Sequence, residues 1–208
     1  MRKTDILIRT ETPADYFAAE NLTREAFWNR YRPGCMEHFV LHCLRESPAF
    51  VPELSLLLEK QGRLIGQVVY ARAAIEADDG RRVPILTFGP LSIAPDFQGQ
   101  GYGRLLLDAS MEKAAALGAG ALAITGDIGF YRHSGFVPGK DIGIRYADDP
   151  GADYFLVKEL RPGYLSGVQG SYRDIEEYFV CLTRPEEFAA FEAQFPAKEK
   201  LTLPGQLG

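Results

Sequence analysis

The spacing of apolar residues changes several times along the chain. Ile6-Leu-Ile-Arg-Thr10 is a short apolar run and predicts a first strand. Thr12-Pro13 follows, an N-cap residue ahead of a proline at the first helical position, and Phe17, Ala18, Leu22, Ala26 and Phe27 then fall near helical spacing. Arg32-Pro33-Gly34 breaks the pattern, and Met36, Phe39, Val40, Cys43 and Leu44 make a second helical stripe closed by Ser47-Pro48. Residues 54–59 and 64–71 are β-type runs around Lys60-Gln61-Gly62-Arg63 and predict a hairpin whose second arm continues through Ile75. After Asp78-Asp79-Gly80, residues 83–93 form a third apolar run. Residues 102–117 predict a helix with Tyr102, Leu105, Leu106 and Ala109 on one face and Gly118 as its stop. Residues 121–125 predict a buried strand, 128–134 a short helix ended by Gly135, and 142–146 and 154–160 two more strands. Residues 185–195 predict a last helix.

This order is a β-meander followed by one strand–helix–strand crossover, which is expected to be parallel and right-handed. The fold class is therefore α/β with a mixed sheet. The 208 residues suit one generous domain over 1–160, with 161–208 as an appendage packed on it. A hydrophobic share of 46% and a charged share of 25% are ordinary for a globular protein. A net charge of -5 argues against generic binding to nucleic acid or to an anionic membrane. No run approaches the ~18 apolar residues of a membrane span, and the N-terminus lacks a signal-peptide core. The three cysteines are too few for a disulfide scaffold. A cytoplasmic protein with reduced thiols is expected. His38 and His42 share a helix face, but position 39 is Phe, and Cys35 and Cys43 lack short ligand spacing; no metal is expected.

The chemistry is concentrated in residues 86–136. Gly89-Pro90 interrupts a strand-like run, and proline cannot donate to a ladder. If that strand is internal, a bulge is forced there, leaving backbone groups free for a ligand. Next comes Asp96-Phe-Gln-Gly-Gln-Gly-Tyr-Gly103, leading straight into a helix. Its glycines allow close backbone approach, and the helix start offers unpaired N–H groups to a phosphate. The segment lacks the Gly-Lys-[Ser/Thr] ending of a P-loop, since it continues Gly103-Arg104-Leu105. Asp127 sits about where the ribose-binding acid of a dinucleotide fingerprint would lie, so an imperfect dinucleotide site is a rival. The meander and the single crossover weigh against it.

Gln98-x-x-Gly101-x-Gly103 resembles the [Gln/Arg]-x-x-Gly-x-[Gly/Ala] signature of the GNAT superfamily of acyl-CoA-dependent N-acyltransferases. Phe130-Tyr-Arg-His-Ser-Gly-Phe136 is similar to that family's tyrosine-bearing segment. The resemblance implies a GNAT-like fold whose central bulged strand splays from its parallel neighbour. It implies acetyl-CoA or CoA as cofactor, with the pyrophosphate on Gln98, Gly99, Gln100, Gly101, Tyr102, Gly103 and Arg104 and the pantetheine along Leu91, Ser92 and Ile93. Arg104 and Arg132 would meet CoA phosphates. A neutral amine would attack the thioester directly, a backbone N–H near Leu91 would face the oxyanion, and Tyr131 would protonate the leaving thiolate. Many relatives carry a Glu on the strand before the glycine loop; this strand has no carboxylate, so Asp127 is the nearest acid, with Glu20 and Glu25 also conceivable. Pro162-Gly-Tyr-Leu-Ser-Gly-Val168 looks like a bacterial subgroup of uncharacterised substrate. The expected partner is a small-molecule or peptide amine. Tyr164, Tyr172, Tyr178 and Phe179 could line the acceptor pocket, cover a sheet edge or form a homodimer interface. The charges of 186–200 read as a solvated helix face. Two alternatives stay open: a non-catalytic acyl-CoA-binding protein of the same fold, and a dinucleotide-dependent oxidoreductase.

Overall fold

A computed structural model describes residues 5–206. The chain runs β1 (Ile6–Thr10), α1 (Tyr16–Phe27), α2 (Glu37–Leu44), β2 (Leu56–Lys60), β3 (Arg63–Ala77), β4 (Arg82–Ile93), α3 (Tyr102–Ala116), β5 (Ala121–Thr125) and α4 (Ile128–Tyr131). It continues through β6 (Val137–Pro138), β7 (Ile144–Tyr146), β8 (Phe155–Glu159), β9 (Gly170–Tyr172), α5 (Val180–Thr183) and α6 (Pro185–Glu192). One mixed sheet holds the strands in the order β1-β2-β3-β4-β5-β8-β6, and β9 pairs with both β3 and β7. The meander β1 to β4 is antiparallel, and β4 meets β5 in parallel across the α3 crossover, as the apolar pattern predicts.

Three elements escape the sequence pattern. β6, β9 and α5 have 2, 3 and 4 residues, too few to carry a period. The strand predicted over 142–146 begins at Ile144, because residues 139–142 form a 3-10 turn ended by Gly143 at φ 82°. Thr12-Pro13 starts a 3-10 turn rather than α1 itself. There the Asp15 carboxylate accepts from the Thr12 N–H and hydroxyl and is paired with Arg9, which also reaches Glu59. The Arg9 guanidinium holds the Asp15 carboxyl well below the usual carboxylate range.

α3 packs on one face of the sheet and α1 with α2 on the other. The α3 stripe is Tyr102, Leu106, Leu107, Ser110, Met111 and Ala114, against Val68, Tyr70, Phe88, Leu122 and Ile124. Leu105, expected on this stripe, is 41% exposed. Ser110 takes part in the buried stripe because it bonds the Tyr70 hydroxyl at 2.7 Å and donates to the Leu107 carbonyl. On the opposite face Ala19, Leu41 and Leu44 cover Leu57, Val69 and Ala71. Burying each such leucine contributes about 2 kcal/mol.

The C-terminal residues are woven into this arrangement. β9 lies antiparallel to the end of β3, with Ile75 opposite Tyr172. Phe191 and Phe195 pack with Phe39 and Val40 of α2. Glu192 is not on a solvated face: it receives the guanidinium of Arg24, which is 1% exposed, and lies 2.8 Å from Nε2 of the buried His38. Burial outweighs that carboxylate and pushes the His38 imidazole down to about 4.

A histidine depressed in the folded state binds its proton first in the unfolded chain. Its contribution to stability is therefore complete above about pH 6.5 and is lost as pH falls toward 4. Urea unfolding between pH 7 and pH 4 is expected to show a loss approaching about 3 kcal/mol from this group. His38→Gln should flatten that part of the profile whatever it does to stability at pH 7. An unchanged slope in the variant would contradict a buried neutral His38.

Candidate active site

The glycine–proline pair does to β4 what its chemistry requires. Val68 faces Leu91 and Tyr70 faces Phe88, so β4 carries one extra residue at Gly89-Pro90. The Gly89–Pro90 peptide is cis, and Gly89 has φ 129°. On its other side β4 is paired to β5 only at Leu86↔Leu122 and Thr87↔Ala123. Beyond Thr87 the two strands part.

Strand geometry then decides which groups face the gap. Ala94 donates its N–H to Ile65 of β3 at 2.9 Å. Alternation along the strand turns the main-chain groups of Ser92 to β3 as well, and those of Leu91 and Ile93 away from it. The Ile93 carbonyl, pointing that way, accepts from Gln98 Nε2 at 2.9 Å. The N–H groups of Leu91 and Ile93 are left to face the opening. The Ser92 side chain lies on the α1 face, donating to Thr23 at 3.0 Å.

Gln98 fixes the loop that follows. Its amide also approaches the Ala26 carbonyl and its Oε1 accepts from Arg30, each at 3.4 Å. Gln100 closes the turn by donating to the Asp96 carbonyl at 2.8 Å. Gly99 and Gly101 sit at φ 72° and 88°, where a side chain is disfavoured. A Cβ at either would meet no protein atom within 4 Å, so both glycines border open space. Gly101 is the N-cap of α3 and has no side chain to satisfy the first N–H groups of that helix, from Tyr102 to Arg104. This end of α3 carries the positive end of the helix dipole. The Tyr102 side chain turns inward, its hydroxyl 2.6 Å from Lys60 Nζ, so only its N–H belongs to the site. Gly103 leaves room for the Phe130 ring, 3.4 Å from where its Cβ would be. The side chains of Arg104 and Arg132 are exposed.

Across the gap, Tyr131 packs against Phe88, Phe130 and Phe136 and closely covers Gly126. A Cβ at Gly126 would stand 2.6 Å from the Tyr131 ring. Burial raises the phenol well above its ordinary range, so it stays protonated at neutral pH. Asp127 is exposed and caps α4, accepting from the Gly129 N–H at 2.7 Å. Glu20 and Glu25 point elsewhere: Glu20 bonds Arg45 and His42, and Glu25 bonds Lys198.

Tyr178 stands where the strands part: its hydroxyl lies 3.2 Å from Thr87 Oγ1 and 3.9 Å from the Cβ position of Gly89. Tyr164 lies at the opposite end of β4, donating to the Pro84 carbonyl. Phe179 is exposed. A cavity of about 410 Å³ also lies at that far end, bordered by Arg72, Leu86, Gly118 and Tyr164, well removed from the bulge.

Residues 52–138 match the family model of the acetyltransferase (GNAT) domain. An uncharacterized N-acetyltransferase, YjhQ of Escherichia coli strain K12, is 30% identical over 96 residues. That alignment takes in 46% of this chain and 52% of the relative, so it spans about half of YjhQ. Among solved structures, the GNAT family N-acetyltransferase YhbS of Escherichia coli, in complex with CoA, superposes with a TM-score of 0.71 at 26% identity, over 84% of this chain and 92% of YhbS. The matched segment and this neighbour give the chain the GNAT fold. A GNAT acetyltransferase of Brucella melitensis in complex with acetyl-CoA shares the fold at 24% identity and a TM-score of 0.66, over 83% of this chain and 97% of that one.

The matched segment contains the bulge, the glycine loop and Tyr131, whereas Tyr178 lies outside it. The three cysteines are buried; burial lifts Cys43 to about 11 and Cys181 to about 12, so neither is a thiolate at neutral pH. Among the described residues no group of three His, Cys, Asp or Glu side chains is placed to hold a metal.

Since a Cβ at Gly101 meets open space, the protein's own need for glycine there is the backbone angle. Gly101→Ala is expected to lower unfolding stability by only about 1 kcal/mol in urea titrations. A loss of several kcal/mol would mean that the loop is packed rather than open.

Proposed function

We propose that this chain transfers an acetyl group from acetyl-CoA to a primary amine by direct attack within a ternary complex. One observation carries the reading: the unpaired half of β4 runs into the bare N-terminus of α3. The strand offers an extended acyl–pantetheine arm the N–H groups of Leu91 and Ile93. The helix end and the glycine turn offer a diphosphate main-chain donors and a favourable dipole. A dinucleotide has no use for the first of these. YhbS in complex with CoA supports the same assignment by likeness.

On this reading the amine lone pair adds to the thioester carbonyl, a main-chain N–H near Leu91 receives the oxyanion, and the C–S bond breaks as the intermediate collapses. Tyr131, held protonated by burial, gives its proton to the departing sulfur. Arg104 and Arg132 are long enough to follow CoA phosphates at the surface. Asp127, just past the end of β5 and with Oδ1 taken by the Gly129 N–H, stands as the candidate proton acceptor. The absence of a carboxylate on β4 favours one other reading, acyl-CoA binding without transfer.

Calorimetric titration is expected to show CoA binding and no binding of NAD or NADP. Gly101→Val, whose branched side chain enters the open space beside the loop, should weaken CoA at least about ten-fold beyond Gly101→Ala, which shares its backbone strain. Equal affinities in the two variants would remove the loop from the CoA site. Thiol release from acetyl-CoA across a panel of amines decides between transfer and mere binding. Tyr131→Phe should lower kcat by about a hundred-fold and leave CoA affinity within about two-fold. An unaltered kcat, with chemistry limiting, would take Tyr131 out of the mechanism.

A further inference from the structure

We propose that Arg30 is a further cofactor-binding residue, a side-chain cation for the diphosphate of CoA, and that Asn29 positions it by clasping residues 199–206. The inference rests on the acetyl-transfer reading and adds a charged contact to its cofactor site.

Residues 97–103 carry no charged side chain, so the turn itself meets a diphosphate with main-chain dipoles alone. Two cations beside it are already engaged. Arg63 is paired with Asp96 at 3.2 Å, and Lys60 Nζ lies 2.6 Å from the Tyr102 hydroxyl. Arg30 forms no salt bridge among the described residues, and its guanidinium donates only to the neutral Gln98 Oε1, at 3.4 Å. Gln98 marks a junction. Its Nε2 holds the Ile93 carbonyl at the open edge of β4, and Gly99 follows it directly. An arginine resting on Gln98 therefore stands where the open strand gives way to the glycine turn, which on the acetyl-transfer reading is where the pantetheine arm meets the diphosphate. A long bond to a neutral oxygen is weak and is readily exchanged for charge-assisted bonds to phosphate. The Tyr31 ring, its centroid 5.5 Å from the guanidinium carbon, backs the side chain.

An exposed arginine on a loose loop would lose much entropy on binding a ligand. The backbone that carries Arg30 is instead fixed at the preceding residue. Asn29 has φ 57°, a left-handed conformation that asparagine tolerates better than most residues. Every polar group of Asn29 is used. Its N–H donates to the Gly34 carbonyl and its Oδ1 accepts from the Gly34 N–H, each at 2.8 Å, which closes residues 29–34 on themselves. Oδ1 also accepts from the Leu201 N–H at 3.1 Å, Nδ2 donates to the Glu199 carbonyl at 3.0 Å, and the Asn29 carbonyl accepts from Gln206 Nε2 at 2.9 Å. Trp28 Nε1 donates to the same Glu199 carbonyl at 2.9 Å, and Lys198 pairs with Glu25 of α1 at 2.7 Å. The C-terminal residues thus tie down the loop after α1, and with it the Cα from which Arg30 reaches Gln98.

The test titrates CoA and dephospho-CoA calorimetrically into the full chain; the second compound keeps the diphosphate and lacks the 3′-phosphate. Arg30→Gln should weaken both by at least about ten-fold and to the same extent, and Arg30→Lys should recover part of the loss. Asn29→Gly, which keeps the backbone angle and removes the side-chain bonds, should also weaken CoA. Combined with Arg30→Gln it should add less than about two-fold, a non-additivity that independent damage to the fold would not produce. The proposal is overturned if Arg30→Gln leaves CoA affinity unchanged, or if it weakens CoA and not dephospho-CoA, which would put the arginine on the 3′-phosphate. Full additivity of the two substitutions would remove the positioning role of Asn29. If the unsubstituted protein binds neither compound, the acetyl-transfer reading falls as well, so its failure is told apart from failure of this inference alone.

Discussion

One extra residue in β4 governs the rest of the molecule. A proline in an internal strand cannot donate to a ladder, and the Gly89-Pro90 pair resolves that conflict by bulging. The parallel pairing with β5 stops after two residue pairs, while β4 remains anchored to β3 as far as Ile93. The result is a strand with one satisfied edge and one open edge inside a buried sheet. Sheets ordinarily avoid unpaired internal edges. Here that edge runs directly into a helix N-terminus, whose main-chain donors are also unpaired.

The surroundings hold this opening in place from both faces. From below, α3 presses Leu106 and Leu107 against Val68 and Phe88. From above, Thr23 of α1 bridges Ser92 of β4 and Gln67 of β3. α1 is held in turn by the buried Arg24–Glu192 pair, so the C-terminal helix contributes to the site without touching it. A buried pair of this kind adds little net stability, but removing either partner strands a charge in the interior.

Much of this was legible in the residues. The meander, the crossover and the bulge follow from apolar periods and from one proline in a strand-like run. The loop followed from glycines at 99, 101 and 103 meeting a helical stripe. What escaped had physical causes. β6, β9 and α5 are shorter than one period of their own pattern, so no spacing announces them. Leu105 was misassigned because Ser110, a polar residue, shares the buried stripe through its bond to Tyr70. Glu192 looked solvated because nothing local signals a partner 168 residues away at Arg24. Tyr178, one of four appendage aromatics with three possible roles, is singled out by tertiary placement alone, since its neighbours in sequence carry no motif.

The two sides of the parted strands come from widely separated stretches of chain. The bulge, the glycine turn and Tyr131 lie within residues 52–138, whereas Tyr178 arrives later in the chain, after β9. β9 joins the sheet at β3 and β7 and not at β4, so the later stretch meets β4 through side chains such as Tyr178. One flank of the opening is thus main chain and the other a side chain, so the first is indifferent to residue identity in a way the second is not.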